Sequence, residues 1–166
     1  KANKEKKLKV IEVAKFSNKY FIEKIISKKN FYQVIFSINK KKAIVETKSI
    51  ILFRLINLLF CYAFFSQNSI KIDTITKYQK YLKPVDGRGL THHIFIKENK
   101  VKIIDESYNA NPETMIQSVD YFSKLKKPNN KKILILGSMN ELGDNSNIMH
   151  LNLLKQIDKF KFKIVI

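Results

Sequence analysis

Cysteine is nearly absent from this 166-residue chain, with one residue, and tryptophan is wholly absent. The lone Cys61 lies inside an apolar run. That excludes a disulfide framework and a thiolate metal cluster, and it agrees with a reducing, cytoplasmic compartment. Proline and glycine are scarce too, at 3 and 4 residues, so those present mark turns or boundaries. Acidic residues are few: 14 Asp and Glu stand against 32 Lys and Arg, a net charge of +18. No secretory signal opens the sequence, whose start is charged and polar. The longest apolar stretch, IILFRLINLLFCYAFF at 50–65, is broken by Arg54 and Asn57 and is shorter than the about 20 residues of a membrane span. It reads as a buried helix. No GxxxxGK[ST] phosphate loop occurs anywhere.

What is present is enough for a core: hydrophobic content is 45%, with 12 Phe. The positive charge is carried by lysines spread along the chain, without an arginine-rich stripe and interleaved aromatics. A biased composition accounts for it better than a nucleic-acid surface. A basic anion- or nucleic-acid-binding module is retained as the alternative function class. Residues 8–13, 31–38 and 43–47 read as strands, the last two joined by the polar NKKK as a hairpin. A helix from about Leu52 to Phe65 follows, then a shorter one at 72–82 with Ile72, Ile75, Tyr78, Tyr81 and Leu82 at helical spacing. KPVDGRG at 83–89 concentrates one proline and two glycines and marks a domain boundary.

Beyond it, strands 91–96 and 101–104 flank the turn KENK. Asn111 can cap a helix whose first residue is Pro112. Met115, Val119, Phe122 and Leu125 give that helix an apolar face. KKILILG reads as a strand buried on both faces of a parallel sheet, and Met149, Leu153, Ile157 and Phe160 mark one side of the next helix. The expectation is a doubly wound α/β domain whose ligand lies at the carboxyl ends of its strands. Two polar loops, DESYNANP and GSMNELGDN, sit at such ends. The chain begins at Lys1 and ends on the strand-like FKIVI, so it reads as a fragment.

GRG at 87–89, IIDESYNANPETM at 103–115 and ILGSMNELGDNSNIMH at 135–150, in that order, closely resemble the motifs of the Mur ligase family. The branch is the one that joins D-alanyl-D-alanine to UDP-N-acetylmuramoyl-tripeptide. The resemblance implies an α/β architecture. Residues 1–83 would be the tail of a central ATPase domain of β-hairpins and helices, and 84–166 the first half of a Rossmann-like, doubly wound C-terminal domain. It implies ATP and Mg²⁺ as cofactors, the two substrates as partners, and a complementary N-terminal chain as a further candidate partner. No nucleic-acid partner and no membrane span are implied.

Residue by residue, Asn57, Arg88, Asp105 and Tyr108 match nucleotide-binding positions. Asp105 falls on the ribose side or orients Arg88. Asn109 and Asn111 match positions facing the incoming dipeptide, with helix capping an equal alternative for Asn111. Glu141 and His150 match site-shaping positions, while His92 and His93 match none. Phe53, Arg54 and Ser138 depart from the family pattern. No catalytic residue and no metal ligand is assigned within these residues. Without the phosphate loop, the chain alone is expected to be inactive.

Overall fold

The computed structural model describes Val13, residues 19–128 and residues 131–165. The strand expected at 8–13 lies outside them, Val13 apart. The chain divides into two compact units, Lys1–Tyr81 and Leu82–Ile166.

The first unit is built on three antiparallel strands, β1 (Tyr20–Ser27), β2 (Tyr32–Ile38) and β3 (Lys41–Thr47), in the order β1-β2-β3. Asn39 and Lys40 join β2 to β3 at φ of 48° and 70°. Two left-handed residues in a two-residue turn match the twist of the strands they connect. Alternation along β2 and β3 puts Val34, Phe36, Ile38, Ala43 and Val45 on one buried face. Helix α1 (Leu52–Gln67) covers that face with Leu55, Leu59, Tyr62 and Ala63, all buried at helical spacing. The rings of Phe36 and Tyr62 meet edge to face at 5.7 Å, a favourable quadrupole arrangement. The Tyr62 hydroxyl pairs with Thr76 Oγ1 at 2.9 Å, tying α1 to α2 (Ile72–Gln79). Helix α2 buries Ile75, whereas Tyr78, Tyr81 and Leu82 are exposed, so only the first part of the expected apolar face is used. No helix among the described residues is long and apolar enough to cross a membrane.

The second unit opens with a hairpin of β4 (Leu90–Ile96) and β5 (Asn99–Asp105). Helix α3 (Pro112–Ser123), β6 (Ile133–Ile135), a 3-10 turn (Gly143–Asn145), α4 (Ser146–Asp158) and β7 (Lys163–Val165) follow. Strands β6 and β7 pair in parallel, with α4 as the crossover element. The core is Val119, Leu134, Met139, Leu153, Ile157 and Phe162.

Two sequence expectations are corrected here. Strand β5 pairs antiparallel with β4 along its full length and belongs to a separate two-stranded sheet, not to the parallel one. A tight turn makes the local partner the cheapest to reach, and alternating lysines at 100 and 102 deny β5 the continuous apolar character of a doubly covered strand. Strand β6 is also not buried on both faces: only Leu134 is, while Ile133 and Ile135 are exposed.

Candidate functional site

The register of the β4–β5 hairpin places Leu90 opposite Asp105. The segment just before β4, Gly87-Arg88-Gly89, therefore lies beside the segment just after β5, Asp105 to Tyr108. Two sequence motifs become one structural element at the open end of a hairpin.

Four backbone amides fasten it. Gly89 N–H donates to the Asp105 carbonyl at 2.6 Å and Tyr108 N–H to the Gly87 carbonyl at 3.1 Å. Gly87 N–H donates to Asp105 Oδ2 at 3.1 Å, and Ser107 N–H to Asp105 Oδ1 at 3.0 Å. Hydrogen bonds from the Ser107 hydroxyl and amide lower the Asp105 carboxyl from its ordinary range, desolvation opposes them, and the Gly87 amide and nearby His92 assist to a lesser extent. Asp105 is thus ionised, and both its oxygens are engaged by the loop they organise.

Gly87 is buried at φ +71°, and a Cβ placed on it would come within 2.7 Å of the Tyr108 nitrogen. No side chain fits that approach. The outcome is that Arg88, itself exposed, lies with Cζ 4.1 Å from the centroid of the Tyr108 ring. The stacked guanidinium is oriented yet open to solvent, an arrangement suited to an anionic oxygen.

Helix α3 starts on the same loop. Asn111 Oδ1 accepts from Thr114 N–H at 3.0 Å and caps the helix, while Asn109 Oδ1 accepts from Ala110 N–H at 2.9 Å. Capping is therefore one job that Asn111 performs. Ala110 from this loop and Met139 and Leu142 from the β6–α4 connection pack in one apolar cluster, which brings the second and third motifs to the same core. In that connection Glu141 is exposed at φ +61°. His150, in the first turns of α4, accepts at Nε2 from Met139 N–H at 2.9 Å.

Asn57 lies exposed on α1 in the first unit. His92 and His93 are exposed strand residues of β4. Among the described residues no group of three or more His, Cys, Asp and Glu could hold a metal ion. A groove lined by Ile116, Val119, Asp120, Gln156, Ile157, Lys159 and Phe160 lies at the far end of α4 from these loops.

Two contributors are missing from the motif-based expectation. Gly87 enters it only as a neighbour of Arg88, though its position in GRG marks a left-handed turn. Ser107 stands two residues after Asp105, the spacing of an Asx turn, and that spacing could have identified it.

Residues 93–166 match the family described as Mur ligase, glutamate ligase domain. Among solved structures, a MurF from Acinetobacter baumannii superposes with a TM-score of 0.70 at 19% identity, covering 86% of this chain and 30% of that one. A MurF ligase from Thermotoga maritima in complex with ADP gives 0.64 at 20% identity, covering 91% of this chain and 37% of that one. The chain therefore has the fold of a stretch of these proteins and spans about a third of their length.

Proposed function

From the match of residues 93–166 to the family described as Mur ligase, glutamate ligase domain, we propose that the chain is a portion of an ATP-dependent amide ligase. The ligase joins D-alanyl-D-alanine to UDP-N-acetylmuramoyl-tripeptide in the cytoplasmic stage of peptidoglycan precursor synthesis. The observation that carries the reading is the fusion of the 87–89 and 105–111 segments, which presents Arg88 on the Tyr108 ring. On this reading residues 1–83 are the end of the central ATP-binding domain and 84–166 the start of the C-terminal domain.

The reaction has two steps. The tripeptide carboxylate attacks the γ-phosphorus of ATP, giving an acyl phosphate and ADP. The dipeptide amine then attacks the acyl carbon, expelling phosphate and losing a proton as the amide forms. What this chain contributes is charge and position. Arg88 offers a guanidinium fork to phosphate oxygens, and its stack on Tyr108 reduces the ordering cost of binding. Asp105 holds Gly87, and so acts on the nucleotide through Arg88. The amide groups of Asn109 and Asn111 lie on the loop that faces the dipeptide, and Asn57 contributes to the nucleotide from α1. The phosphate cradle and the Mg²⁺ ligands come from polypeptide outside these 166 residues, so the chain alone does not ligate.

The test uses a polypeptide that contains this chain together with a phosphate loop. Arg88→Ala lowers kcat about 10²-fold or more, and Arg88→Lys recovers only part, because an ammonium has no fork. Ligation unchanged by Arg88→Ala would remove the argument.

A further inference from the structure

His150 has two neighbours that fix its chemistry. Its Nε2 faces the Met139 N–H at 2.9 Å. Its Nδ1 lies 2.8 Å from the Ser146 carbonyl oxygen and 3.4 Å from Ser146 Oγ. A backbone N–H can only donate, so Nε2 must present a lone pair. A carbonyl can only accept, so Nδ1 must carry the proton. A single neutral tautomer satisfies both, and the imidazolium satisfies only one.

The geometry points to His150 as a positioning residue that latches the β6–α4 connection to the first turn of α4, and thereby fixes the backbone conformation at Glu141. The latch has a buried anchor on the loop side. Met139 is 3% exposed and packs with Leu134, Leu153 and Ile157, so its backbone is held by its own side chain and by the imidazole together. Two residues on, Glu141 occupies the left-handed region at φ +61°. A non-glycine residue stays there only where its surroundings over-determine the backbone. The Met139 bond on one side and the 3-10 turn at Gly143–Asn145 on the other supply that constraint. Without the latch, the segment between them keeps its sequence but not its one conformation.

The consequence for ligation rests on the function proposed above; the latch itself does not. The first measurement is a long-range ¹H–¹⁵N correlation on the unaltered 166-residue chain, which reports the protonated ring nitrogen of each histidine. The expected result for His150 is a protonated Nδ1 and a bare Nε2; an Nε2–H tautomer would overturn the assignment.

The second contrasts two substitutions. His150→Gln places a carboxamide oxygen near the Nε2 position and keeps an acceptor for Met139. His150→Asn can serve Ser146 but falls short of Met139. Exchange of the Met139 amide is expected to stay near the native rate in His150→Gln and to rise about tenfold or more in His150→Asn, the loss of one net hydrogen bond. Equal protection in both would refute the latch. In a ligation-competent polypeptide, His150→Gln retains activity that His150→Asn loses. Absence of ligation even with the native residue would count against the proposed function, while the tautomer and exchange results would still decide the latch.

Discussion

Replacing Gly87 by alanine should open the clamp between the 87–89 and 105–108 segments, at a cost that follows from its geometry. Gly87 sits at φ +71°, where an L-residue with a Cβ loses about 1–2 kcal/mol. The added Cβ would stand 2.7 Å from the Tyr108 nitrogen and 2.8 Å from its Cβ, and relieving such crowding costs about 1–3 kcal/mol. Against this, alanine restricts the unfolded chain and returns about 0.4–1 kcal/mol. The net is a loss of about 1–4.6 kcal/mol, or roughly 5- to 2,000-fold in the opening equilibrium. The assay is native-state hydrogen exchange at the amides of Gly89 and Tyr108, both donors across the clamp.

Two other glycines provide the controls. Gly143 is at φ +57° with nothing within 4 Å of where a Cβ would stand, and Gly137 has neither constraint. Gly143→Ala should therefore cost only the dihedral contribution, about 1 kcal/mol after the unfolded-state offset, and Gly137→Ala close to nothing. If Gly87→Ala proved no worse than Gly143→Ala, the close approach of the two motif segments would be refuted.

Asp105 makes the clamp acid-sensitive. Because its folded-state carboxyl titrates below the unfolded one, its stabilisation is complete above about pH 4, the ordinary carboxylate value, and is lost as pH falls through the folded value. Exchange at Gly87 and Ser107 should accelerate there, and Asp105→Asn should weaken protection and remove the pH dependence. Asn111→Ala should cost about 1 kcal/mol through the lost cap, whereas Asn111→Ser should keep the helix within a few tenths. In a competent ligase Asn111→Ser should nevertheless raise the KM for the dipeptide; an unchanged KM would leave capping as the residue's whole role. Lys132 is buried, with Nζ 2.8 Å from the Ser123 carbonyl and 3.0 Å from that of Leu125. Lys132→Met should cost about 1–3 kcal/mol in urea unfolding by leaving both carbonyls short of a donor. Burial lowers the Lys132 pKa, so the native chain should gain stability as pH rises toward the ordinary lysine range, a gain absent from the variant.

The helices and the β2–β3 hairpin are legible in the sequence because their apolar spacing is regular and their turns carry polar residues. Strand β1 is not. Ile22, Ile25 and Ile26 fall at helix-like intervals, and a register shift between Ile22 and Lys24 breaks the two-residue alternation that would reveal a strand. The pairing of β5 is hard to foresee because a strand's partner is decided by competition between edges, and a short apolar run does not say which edge is nearer. At the site, motif order picks out Arg88, Asp105 and Tyr108, which the structure brings together. Their mutual geometry is hidden: Gly87 and Asp105 are 18 residues apart, and only the register of the intervening hairpin sets one against the other. The bond from Met139 to His150 is hidden for a similar reason, since a backbone donor leaves no mark on residue identity.

The central proposal concerns the amine accepted by a ligase that contains this chain. The family match is described as a glutamate ligase domain, whereas the matching solved structures are MurF proteins. The direct measurement supplies a polypeptide containing this chain and a phosphate loop with ATP, Mg²⁺ and UDP-N-acetylmuramoyl-tripeptide, and offers D-alanyl-D-alanine and glutamate in competition. The account predicts a product heavier by the dipeptide less one water, with one ADP released per bond formed and a loss of product in Arg88→Ala. Incorporation of glutamate, or ADP release with no amide formed, would contradict it.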